Sequence, residues 1–307
     1  MIDVQRLRVL RAVAEHGSFN QAAAALLITP SAVSQHVAAL ERSLGTQVAA
    51  RSTRGVTLTR AGQIMVEAAE AVTAELAYAR QQIDRLGTGR TKLTVATFTS
   101  GGRILLPGAL ARLAAAHPDT EIHVMEGEPE VTLPLVRQGT ADLALAYHFD
   151  GPLPVRPGDR TGMEWSELLD DPLYVVLPRG HRLAGHGSLD LSELAAEPWV
   201  LGCLKTEAYL RRYAELAGFA PLVRGSTTDY FFACSLVAAG VGISLVPSIA
   251  LTPAPADLHI VPVGPPGPAR HIGVATAARS RHQPQVATLI RVLREQASAI
   301  GASRPSM

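Results

Sequence analysis

The chain has 307 residues, 47% hydrophobic and 18% charged, a balance that suits a buried globular fold and excludes a disordered one. That length is too great for one ordinary core and accommodates two or three. The 28 basic and 27 acidic residues nearly cancel, so net charge alone does not point to a polyanionic partner.

The distribution of charge is more informative. Within the first sixty residues, Arg6, Arg8, Arg11, Arg42, Arg51, Arg54 and Arg60 face only Asp3, Glu15 and Glu41, while the remainder is net acidic. A basic head on an acidic body is the polarity expected where one end meets phosphates. Two cysteines, Cys203 and Cys234, are too few for a disulfide framework or a cysteine-rich zinc site. No basic-then-apolar export segment opens the chain, and no uncharged apolar run reaches the ~20 residues that cross a bilayer. The apolar stretch 231–251 comes nearest, but Gly240, Gly242 and Pro247 interrupt it. These features predict a soluble, cytoplasmic protein with no membrane partner.

In chain order, Val4, Leu7, Leu10 and Val13 recur at helical spacing, and His16-Gly17 stops that helix. Ser18, with Gln21 three residues on, predicts a capping box opening a second helix with a small-residue face over residues 22–27. Thr29-Pro30-Ser31 breaks the chain. A third helix then carries Val33, Val37, Leu40 and Leu44 on one face and ends at Gly45. Three short helices with a tight break before the third predict a helix-turn-helix. Pro30, Ser31, Ser34, Gln35 and His36, at the start of the third helix, are the candidates for DNA contact, since Gln pairs with adenine in a major groove. Alternation in Val56-Thr57-Leu58-Thr59 after Arg54-Gly55 predicts the strand of a wing, with Arg51 and Arg54 placed for phosphates or a narrow minor groove.

These residues resemble the LysR-type transcriptional regulators. The matching pattern reads Leu7, Val13-Ala14-Glu15, Gly17-Ser18-Phe19, Ala22-Ala23, Leu26, Ser31-Ala32-Val33-Ser34, Leu40-Glu41, Leu44-Gly45, Arg51, Arg54, Leu58-Thr59 and Ala61-Gly62. The chain departs from the family at Val48-Ala49, where an apolar–Phe pair is usual, and the smaller Ala49 predicts a looser wing. The resemblance implies an α/β protein with an N-terminal winged helix-turn-helix, a linker helix and a two-lobed, periplasmic-binding-protein-like effector domain. It implies double-stranded promoter DNA, a small organic effector and a second copy of the chain, as homodimer or homotetramer, for partners. Expected boundaries are 1–58 for the DNA-binding domain, 59–88 for the linker and 89–307 for the effector domain. Within the last, one lobe takes 91–161 and 269–300, the other 162–268.

From Thr59 the chain runs without Pro to about residue 86, with Met65, Ala68, Val72, Leu76, Ala79, Ile83 and Leu86 three or four apart. A helix with so narrow an apolar seam is marginal alone. In the family it pairs with a second subunit; packing on its own body is the alternative. Beyond Gly87-Thr88-Gly89, strands and helices alternate, which predicts an α/β architecture with a parallel core. The expected strands are 93–98, 121–126, 141–147, 173–177, 199–201, 242–246 and 271–277.

Ligands in such sheets sit beyond the carboxyl ends of strands. That rule selects Thr99 and Ser100, Glu126 to Glu128, Tyr147 and His148, then Gly202, Cys203 and Leu204, with Thr227 and Thr228. Mapped on the family's pattern, Ser100, Glu128, His148, Cys203 and Thr228 fall at or beside effector-contacting positions, and Thr99 and Gly202 complete the candidate set. Each has a plainer reading: helix caps for Ser100 and Thr228, a small buried residue for Cys203, solvated charge for Glu128, a loop histidine for His148. Glu126 and Glu128 set against Arg103 and Lys205 predict a nearly neutral cleft, suited to an organic effector with polar and apolar parts, zwitterionic or amine-bearing. No Gly-x-Ser-x-Gly elbow, P-loop or His-Glu-x-x-His helix is present, and Gly240-Val-Gly242 is a lone fragment. The expectation is a non-enzyme with no metal and no cofactor.

Overall fold

The structure, a computed structural model, describes residues 2–52, 55–88, 91–149, 153–155, 162–264 and 267–302, without the side chains of 51, 52, 81, 84–88, 204–206 and 302. Asp3 caps α1 (Val4–His16) by accepting from the Arg6 amide, and Gly17 ends it in the left-handed region. Ser18 precedes α2 (Phe19–Leu26) in extended backbone but makes no side-chain cap, so the expected box with Gln21 does not form. Thr29 caps α3 (Pro30–Leu44), accepting from the Ala32 amide at 3.2 Å, with Pro30 in the first turn where no amide donor is needed. Val9, Leu10, Val13, Ala22, Val33, Val37, Leu40 and Val48 form the small core of this head.

The wing has two strands, β1 (Ala49–Ser52) and β2 (Gly55–Leu58), paired antiparallel with Ala49 opposite Leu58. Thr59 then caps α4 (Arg60–Thr88), its Oγ1 accepting from the Gly62 amide at 3.1 Å. At 1.5 Å per residue, its 29 residues reach roughly 43 Å. Met65 and Val66 pack on the head's core, and Ala69 and Ala74 are buried within the chain. Val72, Leu76 and Ile83 remain 36, 56 and 66% exposed.

The body follows as β3 (Thr91–Thr97), α5 (Thr99–Ile104), α6 (Leu106–Ala116), β4 (Thr120–Glu126), α7 (Pro129–Arg137), β5 (Leu143–His148) and β6 (Met163–Pro178). After a 3-10 turn at Leu191–Leu194 come β7 (Pro198–Leu201), α8 (Leu204–Leu216), β8 (Leu222–Ser226), α9 (Tyr230–Ala238) and β9 (Ser244–Pro247). A second 3-10 turn, Ser248–Leu251, leads to β10 (Leu258–Pro262), β11 (Ala269–Ala277), α10 (Ala278–Arg281) and α11 (Pro284–Ala302).

The main sheet runs β10-β6-β11-β5-β3-β4, with β9 also on β6, and β7-β8 form a separate parallel pair. Only β3 pairs in parallel within the main sheet, with β4 and β5; every contact of β6 and β11 is antiparallel. The expected parallel core is therefore corrected to a mixed α/β sheet. The cause is β6, which the apolar pattern places only at 173–177. Its first half pairs with β11 and its second with β9 and β10. The sequence hides this length because Asp170-Asp171-Pro172 interrupts the apolar run in mid-strand. Two apolar cores flank the crossing. One joins Leu93, Val95, Leu145 and Val274 to Leu113 and Leu293 of α6 and α11; the other joins Val175 and Leu177 to Trp199 and Leu245.

Candidate DNA-reading face and effector pocket

On α3, Pro30, Ser31 and Gln35 are exposed, Ser34 and His36 are half-buried, and Val33, Val37 and Leu40 turn inward. The Ser31 hydroxyl lies 2.9 Å from that of Thr29, tying the start of the helix to its cap. A buried apolar stripe thus fixes the helix while its opposite side offers short polar groups, the arrangement that presents side chains to base edges. The Arg51 side chain and all of Arg54 lie outside the described residues.

The base of the wing is tied to α3, while its tip at 53–54 and the side chains of 51 and 52 lie outside the described residues. Val48 is fully buried, and the amides of Val48 and Ala49 both donate to Glu41 Oε1, at 2.9 and 3.4 Å. Gly62 of α4 lies so close to the Val48 carbonyl that a Cβ there would stand 1.9 Å from its oxygen. Glu41→Ala is accordingly expected to cost about 1–2 kcal/mol of head stability and to weaken binding to all DNA sequences alike. Melting of the variant and its affinity for two unrelated duplexes check this; unchanged values would mean that Glu41 does not hold the wing.

In the body, a small cavity of about 10 Å³ is walled by Phe98, Thr99, Ser100, Glu128, Tyr147, Cys203, Thr228, Asp229, Tyr230, Phe231 and Arg270. Arg270 is its floor. Its Nε donates to Asp171 Oδ2 and its Nη2 to Ser100 Oγ, both at 2.7 Å. Its guanidinium lies over the rings of Tyr147, Phe98 and Tyr230, 4.8, 5.1 and 5.6 Å from their centroids. Arg270 and Asp171 are 1% and 0% exposed, register partners on β11 and β6. Burial opposes the arginine's charge, but Asp171 and the two phenols outweigh it and hold the guanidinium above its ordinary value. Asp171 is fixed in turn, its Oδ1 accepting from the Ile249 amide at 2.9 Å.

Above this floor the Tyr147 hydroxyl donates to Glu128 Oε2 at 2.6 Å, and Cys203 Sγ lies 4.0 Å from Glu128 Oε1. Burial, then the neighbouring Cys203 and Glu128, push the Tyr147 phenol far above its usual range, so it stays protonated and donates. Asp229 caps α9 through the amides of Phe231 and Phe232, setting Tyr230 at the mouth.

Of the candidate effector residues, Thr99, Ser100, Glu128, Cys203 and Thr228 come together here. Gly202 stands behind the wall, with the Tyr230 ring where its Cβ would go. His148 faces away, into a separate cleft of about 440 Å³ with Pro129, Glu130, Leu133, Phe149 and Pro154; Tyr147 separates the two spaces. His148 bonds the Phe149 carbonyl and stacks on His271. The expected counter-charges are also placed differently. Arg103 lies over Phe231 at 3.9 Å from its centroid, outside the cavity, and the Lys205 side chain is not among those described. Glu126 is exposed, accepting from Thr99. Arg270, Asp171, Phe98 and Tyr230 were not singled out by the sequence. The one available signal was an arginine at the head of an apolar run and an aspartate directly before Pro172 and the apolar run 173–177.

Residues 4–63 match the family model for the bacterial regulatory helix-turn-helix protein, lysR family, and 87–298 match the LysR substrate binding domain. The chain belongs to the LysR family. This LysR-family chain is 33% identical, over 89% of its length and 88% of the relative's, to a probable hydrogen peroxide-inducible genes activator of Mycobacterium avium. It is 29% identical to the transcriptional regulator XapR of Escherichia coli, covering 84% and 91%. Full-length BenM superposes over all of both chains with a TM-score of 0.59 at 22% identity, a likeness of fold. A cysteine-to-serine mutant of Corynebacterium glutamicum OxyR with hydrogen peroxide bound gives 0.56 at 26%, covering 98% and 95%. The LysR-family chain is thus a DNA-binding transcription regulator with an effector-binding domain. Among the described residues, no single helix is long and apolar enough to cross a membrane.

Proposed function

We propose that this regulator reads promoter DNA with Gln35 and Ser34 of α3, works as a cytoplasmic oligomer paired along α4, and responds to a small organic molecule held between Ser100, Glu128 and Thr228. The supporting observation is the buried Arg270–Asp171 pair beneath the cavity. Because the two charges cancel, the wall carboxylates left to set the ligand's polarity are Glu128 and Asp229, the second of which already accepts from the Phe231 and Phe232 amides. A molecule with an amine or other donor for Glu128, an acceptor for the Ser100 and Thr228 hydroxyls, and an apolar body between Phe98 and Tyr230 fits these walls. The closed cavity holds little more than a water, so such a molecule binds by parting its walls. The response is a population shift and not a catalysed reaction. No catalytic role is assigned to any residue.

A second reading follows from the same small volume. Cys203 is a buried thiol in the wall, and one cited relative, the Mycobacterium avium activator, is named for hydrogen peroxide. An oxidant of a few atoms needs the walls to part far less than a larger organic molecule does. Cys234 is a poor partner in such chemistry, since burial, with Asp229 nearby, pushes its thiol up to about 11.

Titration calorimetry of the full chain with amine, carboxylate and aromatic panels, beside a peroxide series read by Cys203 oxidation, separates the two readings. The expected result is heat from an amine-bearing compound that falls at least about tenfold in affinity in Glu128→Gln and Ser100→Ala, a loss of ~1.4 kcal/mol or more. Equal affinity in both variants would place the effector elsewhere; promoter release by peroxide in the parent but not in Cys203→Ser would favour the oxidant. On the DNA side, Gln35→Ala is expected to relax preference at one or two base pairs by roughly 1–3 kcal/mol. Unaltered discrimination among operator variants would remove α3 from the reading face.

A further inference from the structure

Helix α7 starts at the pocket and ends against α4, the helix that follows the DNA-binding head. Glu128, whose carboxylate takes the Tyr147 hydroxyl, is its N-cap, and the amides of Val131 and Thr132 bond the Glu128 carbonyl. Nine residues on, about 13 Å away by helical rise, Arg137 Nε lies 3.8 Å from Glu70 Oε2 of α4. Glu70 also feels Arg11 and Glu15 of α1, and Glu67 of its own helix. The same end of α7 is packed hard against α4. Gly139 has a positive φ of 76°, and a Cβ there would stand 3.0 Å from Ala74 Cα and 3.1 Å from its carbonyl oxygen. Arg279 fastens this corner, its Nη2 donating to the Val136 carbonyl at 3.0 Å.

The charge cluster at this junction is under-bonded. The Nε atoms of Arg137 and Arg11 are buried and make no hydrogen bond. Their pairs, at 3.8 Å to Glu70 and 3.3 Å to Glu15, rest on charge without directional geometry. The side chains of these pairs are only partly buried, and ion pairs of that kind contribute little to stability. Three elements from two parts of the chain meet at this one cluster.

We propose that α7 transmits the state of the pocket to the DNA-binding head, displacement of Glu128 moving the helix as a unit and Arg137 passing the movement to Glu70 of α4 and to α1. This rests on the pocket being the effector site and adds how its occupancy is read out. Arg137 and Glu70 act here as coupling residues, and neither is part of the pocket wall. Their energetic cost is visible in one further property: burial raises the Glu70 carboxyl above its ordinary value, against the pull of Arg137 and Arg11. A raised folded-state value means stability present at acid pH and lost as pH rises through that value. Glu70→Gln should therefore keep its melting temperature at neutral pH, which separates a coupling role from a merely structural one.

The test is amide hydrogen exchange on the full chain, with substitutions as the pocket input so that no ligand need be known. Tyr147→Phe removes the bond to Glu128, and Glu128→Gln serves if that variant folds poorly. Either is expected to speed exchange about threefold or more in residues 9–13 of α1 and 66–74 of α4. In an Arg137→Gln background the same input should leave those segments unmoved, and the swap of Arg137→Glu with Glu70→Arg should restore the response. Changes confined to α7 and the pocket walls, or equal transmission with and without Arg137, would overturn the proposal. Failure of the pocket reading looks different: the junction still responds, but no compound in the calorimetric panel depends on Glu128 or Ser100.

Discussion

Asp171→Ala is expected to destabilise the body by about 3–5 kcal/mol, the cost of leaving a buried guanidinium without its counter-charge. Arg270 has no route to water at 1% exposure, and Ser100 supplies only a neutral partner. The Ile249 amide loses its acceptor as well. The double variant Asp171→Leu with Arg270→Met removes both charges together and should recover most of the loss, because the two side chains are register partners and their replacements fill similar volume. Urea unfolding followed by the fluorescence of Trp165 and Trp199 measures both. A single variant within about 1 kcal/mol of the parent would mean that the pair is not the floor of the pocket. The stable double variant would then ask the sharper question, whether an effector still binds when the floor carries no charge.

Val72→Asp is expected to give a folded monomer with little affinity for its promoter. Val72 is 36% exposed in the single chain, so an aspartate there is solvated and costs the monomer little. Paired α4 helices would bury it beside its symmetry mate, at several kcal/mol if it stays charged. Leu76 and Ile83, more exposed still, continue the same seam. Losing the pair turns two linked half-site contacts into independent ones, and affinity for a two-site duplex should fall about 100-fold or more. Sedimentation and melting on one sample decide the matter. An oligomer of normal size that binds DNA normally would exclude the seam as the contact.

The head was legible in the sequence because its signals are short-range. Gly17, Thr29-Pro30 and Gly45 punctuate helices whose apolar faces repeat every three or four residues, and each acts within a few positions of where it is read. The body was legible in its alternation but not in its strand directions. Asp170-Asp171-Pro172 reads as a break, and only tertiary structure shows Asp171 fully buried opposite Arg270, 99 residues away. The pocket follows the same division. Strand ends gave Ser100, Glu128, Cys203 and Thr228, because the rule concerns where a strand stops. They could not give Arg270, which lies within a strand and belongs to the site through partners brought by the fold. His148 shows the limit of the rule: one residue beyond Tyr147 on β5, it faces the opposite side of the sheet, as strand alternation requires.

The continuity of β6 bears on how the sensor melts. A strand that gives one half to each of two cores cannot stay ordered in one while the other dissolves, since the shared backbone bonds would lose a row of partners. The two cores therefore form one cooperative unit despite being laid down as separate apolar clusters. Cavities cut far apart, at Leu145 or at Trp199, should lower the same single transition, and neither core should persist as an isolated fragment.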